Sequence, residues 1–262
     1  MMSSFCQWLI FGFLQARKLT DTPLKVLNVL LVVSVLVTPG VAEAELTLVG
    51  KNRVIFEKER LNNRFRLDIL NQGERPALAN ISIEWGDARK EEVPMAVSSP
   101  LVRIAPAQQK SIELFYQGKG LPNDRESYFL LSILDVPIAP QQENALQIAL
   151  RHRFKVFFRP RLDVTQDQAA ASVTWKRTPV RGEIEAGNPS PYYLTITNLI
   201  RQGEQGRACG DPIMHTMLTP FSKKKLASGG CFEPVQRLQY SIVTDSGREV
   251  ERRIQVKSEA KQ

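Results

Sequence analysis

Short runs in which apolar and polar residues alternate dominate the chain from residue 45 onward. Alternation with a period of two is typical of half-buried β-strands, because successive side chains of a strand point to opposite faces. Turn-forming stretches such as NQGE, APAQ and LPND separate the runs, and helical periodicity is nearly absent. The pattern therefore predicts an all-β protein. The predicted strands of the first half are LTLVGKNRVIF, RFRLDILNQ, ALANISIEWG, PLVRIAP, KSIELFYQ, YFLLSILDVP and ALQIALRHRFKVFF.

The strand pattern breaks at Pro160, because proline has no N–H to donate to a β-ladder. Seven strands before the break are enough for one β-sandwich, and a second set follows. We therefore predict two β-sandwich domains, over residues 45–160 and 161–262. The predicted strands of the second domain are ASVTWKR, EIEAGNP, YYLTITNLI, PIMHTMLTPF, EPVQRLQYSIVT and REVERRIQVK.

The first 44 residues have the features of a secretory signal peptide. Lys18 and Lys25 precede the apolar run 26–37, and the stretch Ala42-Glu43-Ala44 supplies small residues for cleavage. We expect removal of residues 1–44 by cleavage after Ala44. A further apolar patch, FCQWLIFGFL, makes the leader unusually long, so an upstream start codon or an uncleaved anchor stays an open alternative.

The charge of the chain is basic, with 35 Lys and Arg against 27 Asp and Glu. Most basic residues alternate with acidic ones, and the run 223–225 lies beside Pro220 and Ser222 in a predicted loop. A solvated basic surface explains this distribution, and an exported protein seldom meets nucleic acid. We therefore expect no nucleic-acid partner.

The cysteines agree with export to an oxidising compartment. Cys6 belongs to the leader, which leaves Cys209 and Cys231 as an even pair. A disulfide between them would stabilise the fold by roughly 3 kcal/mol through the restricted unfolded chain. The alternative is a reactive or metal-binding thiol pair, but the chain has neither a CxxC spacing nor a second pair nearby.

Catalytic and metal sites have little support in this sequence. The chain contains only two histidines, His152 and His215, and neither belongs to a nucleophile, base or zinc motif. We interpret both as strand histidines with satisfied hydrogen bonds. No glycine-rich phosphate loop occurs, so we expect no bound nucleotide. Together with the histidines, this leads us to expect no cofactor, metal or catalytic residue.

The run ALQIALRHRFKVFF is longer than an ordinary strand of about 5–6 residues. Leu146, Ile148 and Leu150 alternate with Gln147 and Ala149 in its first half. Two interpretations stay open at this point. Either this is a core strand with its apolar side chains inward, or its first half is an exposed edge that offers them to another chain by strand addition.

Several motifs, in the same order as in a known family, resemble the PapD-like periplasmic pilus assembly chaperones. RVIF and NRFRLDILNQ resemble the family's first two strands, and DRESYFLLSILDVP resembles its signature. ALQIALRHRFKVFFRP resembles the last strand of the first domain. Further resemblance lies in GNPSPYYLTITNL, MLTPFS and the TDSG turn.

The resemblance implies two immunoglobulin-like β-sandwich domains in an L or boomerang arrangement. It also implies a periplasmic chaperone that stabilises pilus subunits by donor-strand complementation and delivers them to an outer-membrane usher. Leu146, Ile148 and Leu150 would be the donated side chains. The short connection before ALQIAL resembles the class that serves rod-like or complex pili. The alternative function is that of an exported structural pilus or adhesin component.

The resemblance also assigns roles to five charged residues. Arg53 and Lys155 would bind the terminal carboxylate of the subunit and so fix the register of the added strand. Most strand lysines are ordinary surface cations, and only the resemblance favours this role. Glu126, Arg159 and Asp245 would form salt bridges across the domain junction, with a structural function and no catalytic one.

Overall fold

The structure is a computed structural model that describes residues 46–50, 52–59, 63–137 and 147–256. These residues form sixteen β-strands and one six-residue helix, which confirms the predicted all-β class. The strands build two β-sandwiches, and both pack together in one compact unit. No helix in these four ranges is long and apolar enough to cross a membrane.

The first sandwich consists of nine described strands in two sheets. The strands are β1 (Leu46–Leu48), β2 (Arg53–Glu57), β3 (Arg64–Asn71), β4 (Ala77–Trp85), β5 (Met95–Val97), β6 (Leu101–Ile104), β7 (Gln109–Tyr116), β8 (Ser127–Asp135) and β9 (Arg151–Arg159). One sheet has the order β1-β3-β7-β5 and the other β2-β9-β8-β4-β6. Inward side chains of both sheets form a single apolar core, whose burial is the main source of stability. The sequence predicted seven strands here; β5 and the division of the first run account for the other two.

The first predicted strand, LTLVGKNRVIF, is in fact two strands that belong to different sheets. β1 pairs with β3, whereas β2 pairs in parallel with β9. Gly50 between them has a φ of +66°, which a glycine adopts without the steric cost of a Cβ. The prediction of one continuous strand was therefore wrong. The change of sheet places β2 beside β9, where the candidate site lies.

The long strand predicted from ALQIALRHRFKVFF begins later than expected. Leu146 lies outside the described residues, residues 147–150 are not strand, and β9 begins at Arg151. The reason is the length of the neighbouring strand. β8 ends at Asp135, whose N–H donates to the carbonyl of Leu150 at 2.9 Å, and earlier residues have no described strand to pair with. The strand prediction for 147–150 was wrong.

The second sandwich consists of seven described strands in two sheets. The strands are β10 (Thr174–Arg177), β11 (Ile184–Asn188), β12 (Leu194–Gln202), β13 (Ile213–Leu218), β14 (Ser222–Leu226), β15 (Arg237–Val243) and β16 (Glu249–Gln255). Their sheet orders are β10-β11-β14 and β13-β12-β15-β16. Trp175 lies in the shared core and donates from Nε1 to the hydroxyl of Tyr240 at 3.2 Å.

Two elements of this half differ from the prediction. The run 223–225, predicted as a loop, forms most of β14 and pairs with β11. Its lysines suit an edge strand, since exposed charges there discourage pairing with other chains. A helix, α1 (Gln166–Ala171), precedes β10 and begins with a capping box between Thr165 and Gln168. It is too short for helical periodicity to indicate it.

A disulfide joins Cys209 to Cys231, as predicted. The bond closes a separation of 22 residues and packs with the second core. Arg201 lies under the same loops, where it is 1% exposed and donates to the carbonyls of Asp211, at 3.1 Å, and Ala227. The disulfide and the buried arginine thus hold the same pair of loops onto the sheet.

Candidate functional site

β9 has an open edge over its first four residues. On one side β9 pairs with β8 from Arg151 to Phe158, but on the other side β2 covers it only from Lys155 onward. The backbone of 151–154 therefore has no strand partner on that side among the described residues. Ile148, in the segment that leads into β9, is 59% exposed. A free strand edge that follows an exposed apolar side chain is the kind of surface to which another strand can add.

The structure thus places the three proposed donor residues unequally. Ile148 is exposed, Leu150 is half-buried, and Leu146 lies outside the described residues. None of the first core's buried residues comes from 147–150. The described part of this segment therefore packs outside the core of its own domain.

Arg53 and Lys155 lie side by side where the open edge ends. They are register partners in the parallel pair of β2 and β9, so their side chains leave the sheet on the same face. The guanidinium of Arg53 lies 4.2 Å from the ring centroid of Phe157, a cation–π contact. Its Nη2 donates to the carbonyl of Tyr193 at 3.4 Å, while its Nε has no acceptor among the described residues.

The electrostatic environment of this pair favours an anion. Burial lowers the pKa of Arg53, although the carboxylates of Glu126 and Asp245 oppose that fall, and burial together with the charge of Arg53 lowers the pKa of Lys155. Within the described part of the chain, neither residue forms an ion pair with a carboxylate. A bound anion would compensate both the lost solvation and the mutual repulsion. Two adjacent cations in this setting are able to bind a carboxylate.

An aromatic cluster packs between the two sandwiches. The rings of Tyr128 and Phe157, from β8 and β9, stack with centroids 5.2 Å apart. Tyr193, which precedes β12 in the second sandwich, lies 5.6 Å from Tyr128 and 5.7 Å from Phe157. Met217 of β13 packs against the same cluster. The two cations thus lie on the face of the first sandwich that meets the second.

His215 lies beside Lys155 in the cleft between the two sandwiches, and the sequence did not indicate this position. It lies two residues before Met217 on β13, on the same face, and its Nε2 is 2.7 Å from Nζ of Lys155. His215 is thus a strand histidine with a hydrogen-bond partner, as predicted, but the sequence did not indicate that the partner is Lys155. The alternation along PIMHTML could have placed His215 and Met217 on one face, but it could not indicate which domain that face meets.

The other histidine differs from expectation. His152 lies on β9 with its ring 6.5 Å from that of Phe154, and its Nε2 is buried without a hydrogen-bond partner among the described residues. The prediction that its hydrogen bonds are satisfied was wrong for this atom. His152 belongs to the open edge, where a pairing strand would change its surroundings.

Glu126, Arg159 and Asp245 are brought together at the junction. Arg159 donates from Nε to Glu126 at 2.8 Å and, through Nη1 and Nη2, to both carboxylate oxygens of Asp245 at 2.6 and 2.8 Å. Glu126 also accepts from the backbone N–H of Tyr193 at 2.8 Å. Burial raises the pKa of Glu126, while the Arg159 guanidinium and the Tyr193 N–H oppose that rise. The arginine at the end of β9 therefore links the first sandwich to the turn after β15.

Comparisons with known proteins agree with this architecture over nearly all of the described chain. Residues 47–162 match the family model of the pili and flagellar-assembly chaperone PapD N-terminal domain. Residues 168–254 match that of the pili assembly chaperone PapD C-terminal domain. Both models describe assembly chaperones, so the alternative of a structural pilus or adhesin component is wrong.

Individual relatives give the same result. The chain is 34% identical over 218 residues to the chaperone protein FimB/FhaD of Bordetella pertussis, covering 79% of this chain and 86% of the relative. The crystal structure of the Pseudomonas aeruginosa CupB2 chaperone aligns with a TM-score of 0.65 at 28% identity, covering 79% of this chain and 99% of that one. The YadV chaperone of Escherichia coli aligns with a TM-score of 0.70 at 26% identity, covering 81% of this chain and 100% of that one. With both halves matched in order, this chain belongs to the PapD-like family of pilus assembly chaperones.

Proposed function

We propose that this protein works in the periplasm, where it captures unfinished pilus subunits by lending them a β-strand and hands them to an outer-membrane usher. The observation that carries the proposal is the open edge of β9, which leads directly to Arg53 and Lys155, two cations with no carboxylate in an ion pair among the described residues. The open edge provides backbone hydrogen-bonding groups next to an exposed apolar side chain, and the two cations provide positive charge. Together they fit an extended segment that ends in a carboxylate.

Strand addition supplies most of the binding free energy in this proposal. The edge from 147 to 154 pairs with a strand of the subunit, and Leu146, Ile148 and Leu150 enter the subunit's own groove. Full burial of each such side chain contributes about 1.5–3 kcal/mol before the cost of association is subtracted. The exposure of Ile148 in the free protein supports this step, because most of its side chain has no native packing to lose when it binds.

The two cations fix where the subunit's last strand ends. A carboxylate held by charge-assisted hydrogen bonds from Arg53 and Lys155 sets the register of the subunit's last strand against β9. A slip of one residue would turn the whole set of inward side chains to the wrong face. The role of the anchor is therefore register as well as affinity. Binding and release are the only steps required, so no catalytic residue, cofactor or nucleotide takes part.

The test is co-expression of the chaperone with a pilus subunit from the same gene cluster, followed by purification through a tag on the chaperone. Lys155→Ala and Arg53→Ala each remove one anchor charge and should reduce subunit recovery at least tenfold. Lys110→Ala changes an exposed lysine on β7, in the opposite sheet, and should leave recovery unchanged.

Circular dichroism and thermal melting establish that each variant is folded. Full recovery of the subunit with both Lys155→Ala and Arg53→Ala would contradict the carboxylate anchor. An equal loss with Lys110→Ala would show that the effect depends on total charge and not on this pair.

A further inference from the structure

The contact between Lys155 and His215 joins the two sandwiches at the proposed anchor. Lys155 lies on β9 and His215 on β13, and 2.7 Å separates the ammonium nitrogen from Nε2 of the imidazole. An ammonium group can only donate, so the imidazole in this contact is neutral and accepts. His215 is also exposed enough to meet a ligand in the cleft.

We infer that His215 is the second domain's contribution to the carboxylate anchor: it positions Lys155 in the free chaperone and, once protonated, donates to the bound carboxylate. The inference rests on the proposed function, and it adds pH-dependent binding of the subunit. In the free protein the imidazole holds the ammonium on the side of the cleft that β13 lines. When a carboxylate binds to Lys155 and Arg53, an acceptor becomes available to the imidazole as well.

The charges that face His215 determine the direction of the pH effect. Burial lowers the pKa of His215, and the charges of Lys155 on β9 and Lys224 on β14 lower it further. Arg53 of β2 is the neighbour of Lys155 and adds a third positive charge to this region. Among the described residues, no carboxylate acts on His215. A subunit carboxylate would reverse this balance, so the pKa of His215 rises on binding.

This rise couples binding to proton uptake. Affinity therefore increases as the pH falls through the pKa of His215 in the complex, and it levels off below the pKa of the free protein. Each unit of difference between the two pKa values changes the affinity tenfold, so we expect binding to be about threefold to tenfold tighter at low pH than at high pH. This tighter binding is lost only when the carboxylate itself is protonated, below about pH 3.5.

The first experiment follows the imidazole signals of the full chain by NMR between about pH 5 and pH 8.5, across the ordinary range of histidine titration. The probe is a synthetic peptide of alternating valine and serine with a free terminal carboxylate, and the control is the same peptide as an amide. His152→Gln assigns the two histidine signals. The pKa of His215 should rise with the carboxylate peptide and stay unchanged with the amide.

The second experiment measures the dissociation constant of the carboxylate peptide over the same pH range. Wild type should bind more tightly as the pH falls, whereas His215→Gln should match wild type at high pH and lose the pH dependence. Glutamine can still accept from Lys155 but cannot be protonated. Met214→Gln, which alters the exposed neighbour on the other face of β13, should follow the wild-type profile.

The outcomes separate the inference from the proposed function. Equal pH profiles for wild type and His215→Gln, with tight binding in both, would overturn the role of His215 and leave the anchor intact. Failure of wild type to bind the carboxylate peptide at any pH would overturn the anchor, and the inference with it. Tightening by both the amide and the carboxylate would show that the proton acts elsewhere.

Discussion

At the scale of single residues, Arg201 shows how a strand can bury a charge. Asn198 has a φ of +52°, and the pairing of β12 with β15 shifts its register between Thr197 and Ile200. Such a β-bulge reverses which positions face inward. Ile196 points into the core before the bulge, and Arg201 does so after it. The guanidinium then finds backbone carbonyls of the neighbouring loops.

Removal of that guanidinium should destabilise the second sandwich. Arg201→Ala leaves the carbonyls of Asp211 and Ala227 buried without their charged donor, so we expect a loss of about 2–4 kcal/mol in the free energy of unfolding. Urea unfolding followed by far-UV circular dichroism measures the change. The matched control is Arg237→Ala, an exposed arginine on β15, which should stay within about 0.5 kcal/mol of wild type. Equal stability of both variants would show that the loop carbonyls do not need Arg201.

The same bulge shows one limit of reading residues from sequence. YYLTITNLIRQ alternates well enough to predict a strand, but strict period two places Arg201 on the solvent face. A shift of one position depends on contacts with β15, which lies far away in the sequence. Arg53 and Lys155 show the same limit, since each looks like an ordinary strand cation. Only their pairing across β2 and β9 makes them neighbours.

At the scale of elements, the segment 147–150 and β6 offer a direct comparison. β6 is an edge strand of the five-stranded sheet, and the segment 147–150 leads into β9 of the same sheet. Each has one exposed aliphatic residue: Ile148 is 59% exposed and Leu101 is 61% exposed. Only Ile148 lies next to an open edge that leads to the two cations. Apolar exposure alone therefore does not define the site.

This difference predicts opposite effects of the same substitution. Ile148→Asp should abolish recovery of a co-expressed pilus subunit, because a carboxylate cannot enter an apolar groove without a large desolvation cost. Leu101→Asp should leave recovery unchanged. Both variants should have the circular dichroism spectrum of wild type, since neither residue is in the core. Unfolding of Ile148→Asp would show instead that this side chain stabilises its own domain.

Element existence was largely predictable, whereas element ends and partners were not. Alternation identified most strands because one face of each is buried. It failed at LTLVGKNRVIF, where the turn at Gly50 divides the run between two sheets, and at 147–150, where β8 is too short to continue the ladder. The lysine run of β14 reads as a loop because both of its faces carry charge. In each case the deciding contact is distant in sequence.

At the scale of the whole molecule, one arginine connects the two sandwiches. Arg159 is the last residue of β9, and it binds a carboxylate from each domain. The two partners differ in burial: the side chain of Glu126 is 0% exposed and that of Asp245 is 34% exposed. Their contributions to stability should differ accordingly.

Removal of the buried carboxylate should cost more than removal of the exposed one. Glu126→Ala leaves the buried Nε–H of Arg159 and the backbone N–H of Tyr193 without an acceptor, although Arg159 keeps Asp245, so we expect a loss of about 3–5 kcal/mol in the free energy of unfolding. Asp245→Ala leaves the contact with Glu126 in place, and solvent screens the lost pair, so we expect about 1 kcal/mol. Urea unfolding of both variants gives the comparison. The reverse order, with Asp245 the more costly, would contradict the assignment of Glu126 as the central partner.

The register between β2 and β9 has a consequence for when this protein can act. Arg53 belongs to an early strand of its domain and Lys155 to the last, and the parallel ladder alone makes them neighbours. A chain that is still being synthesised, or one that has unfolded, contains both side chains but does not hold them side by side. Under the proposed anchor, only a fully folded copy of this chaperone can bind the terminal carboxylate of an unfinished subunit.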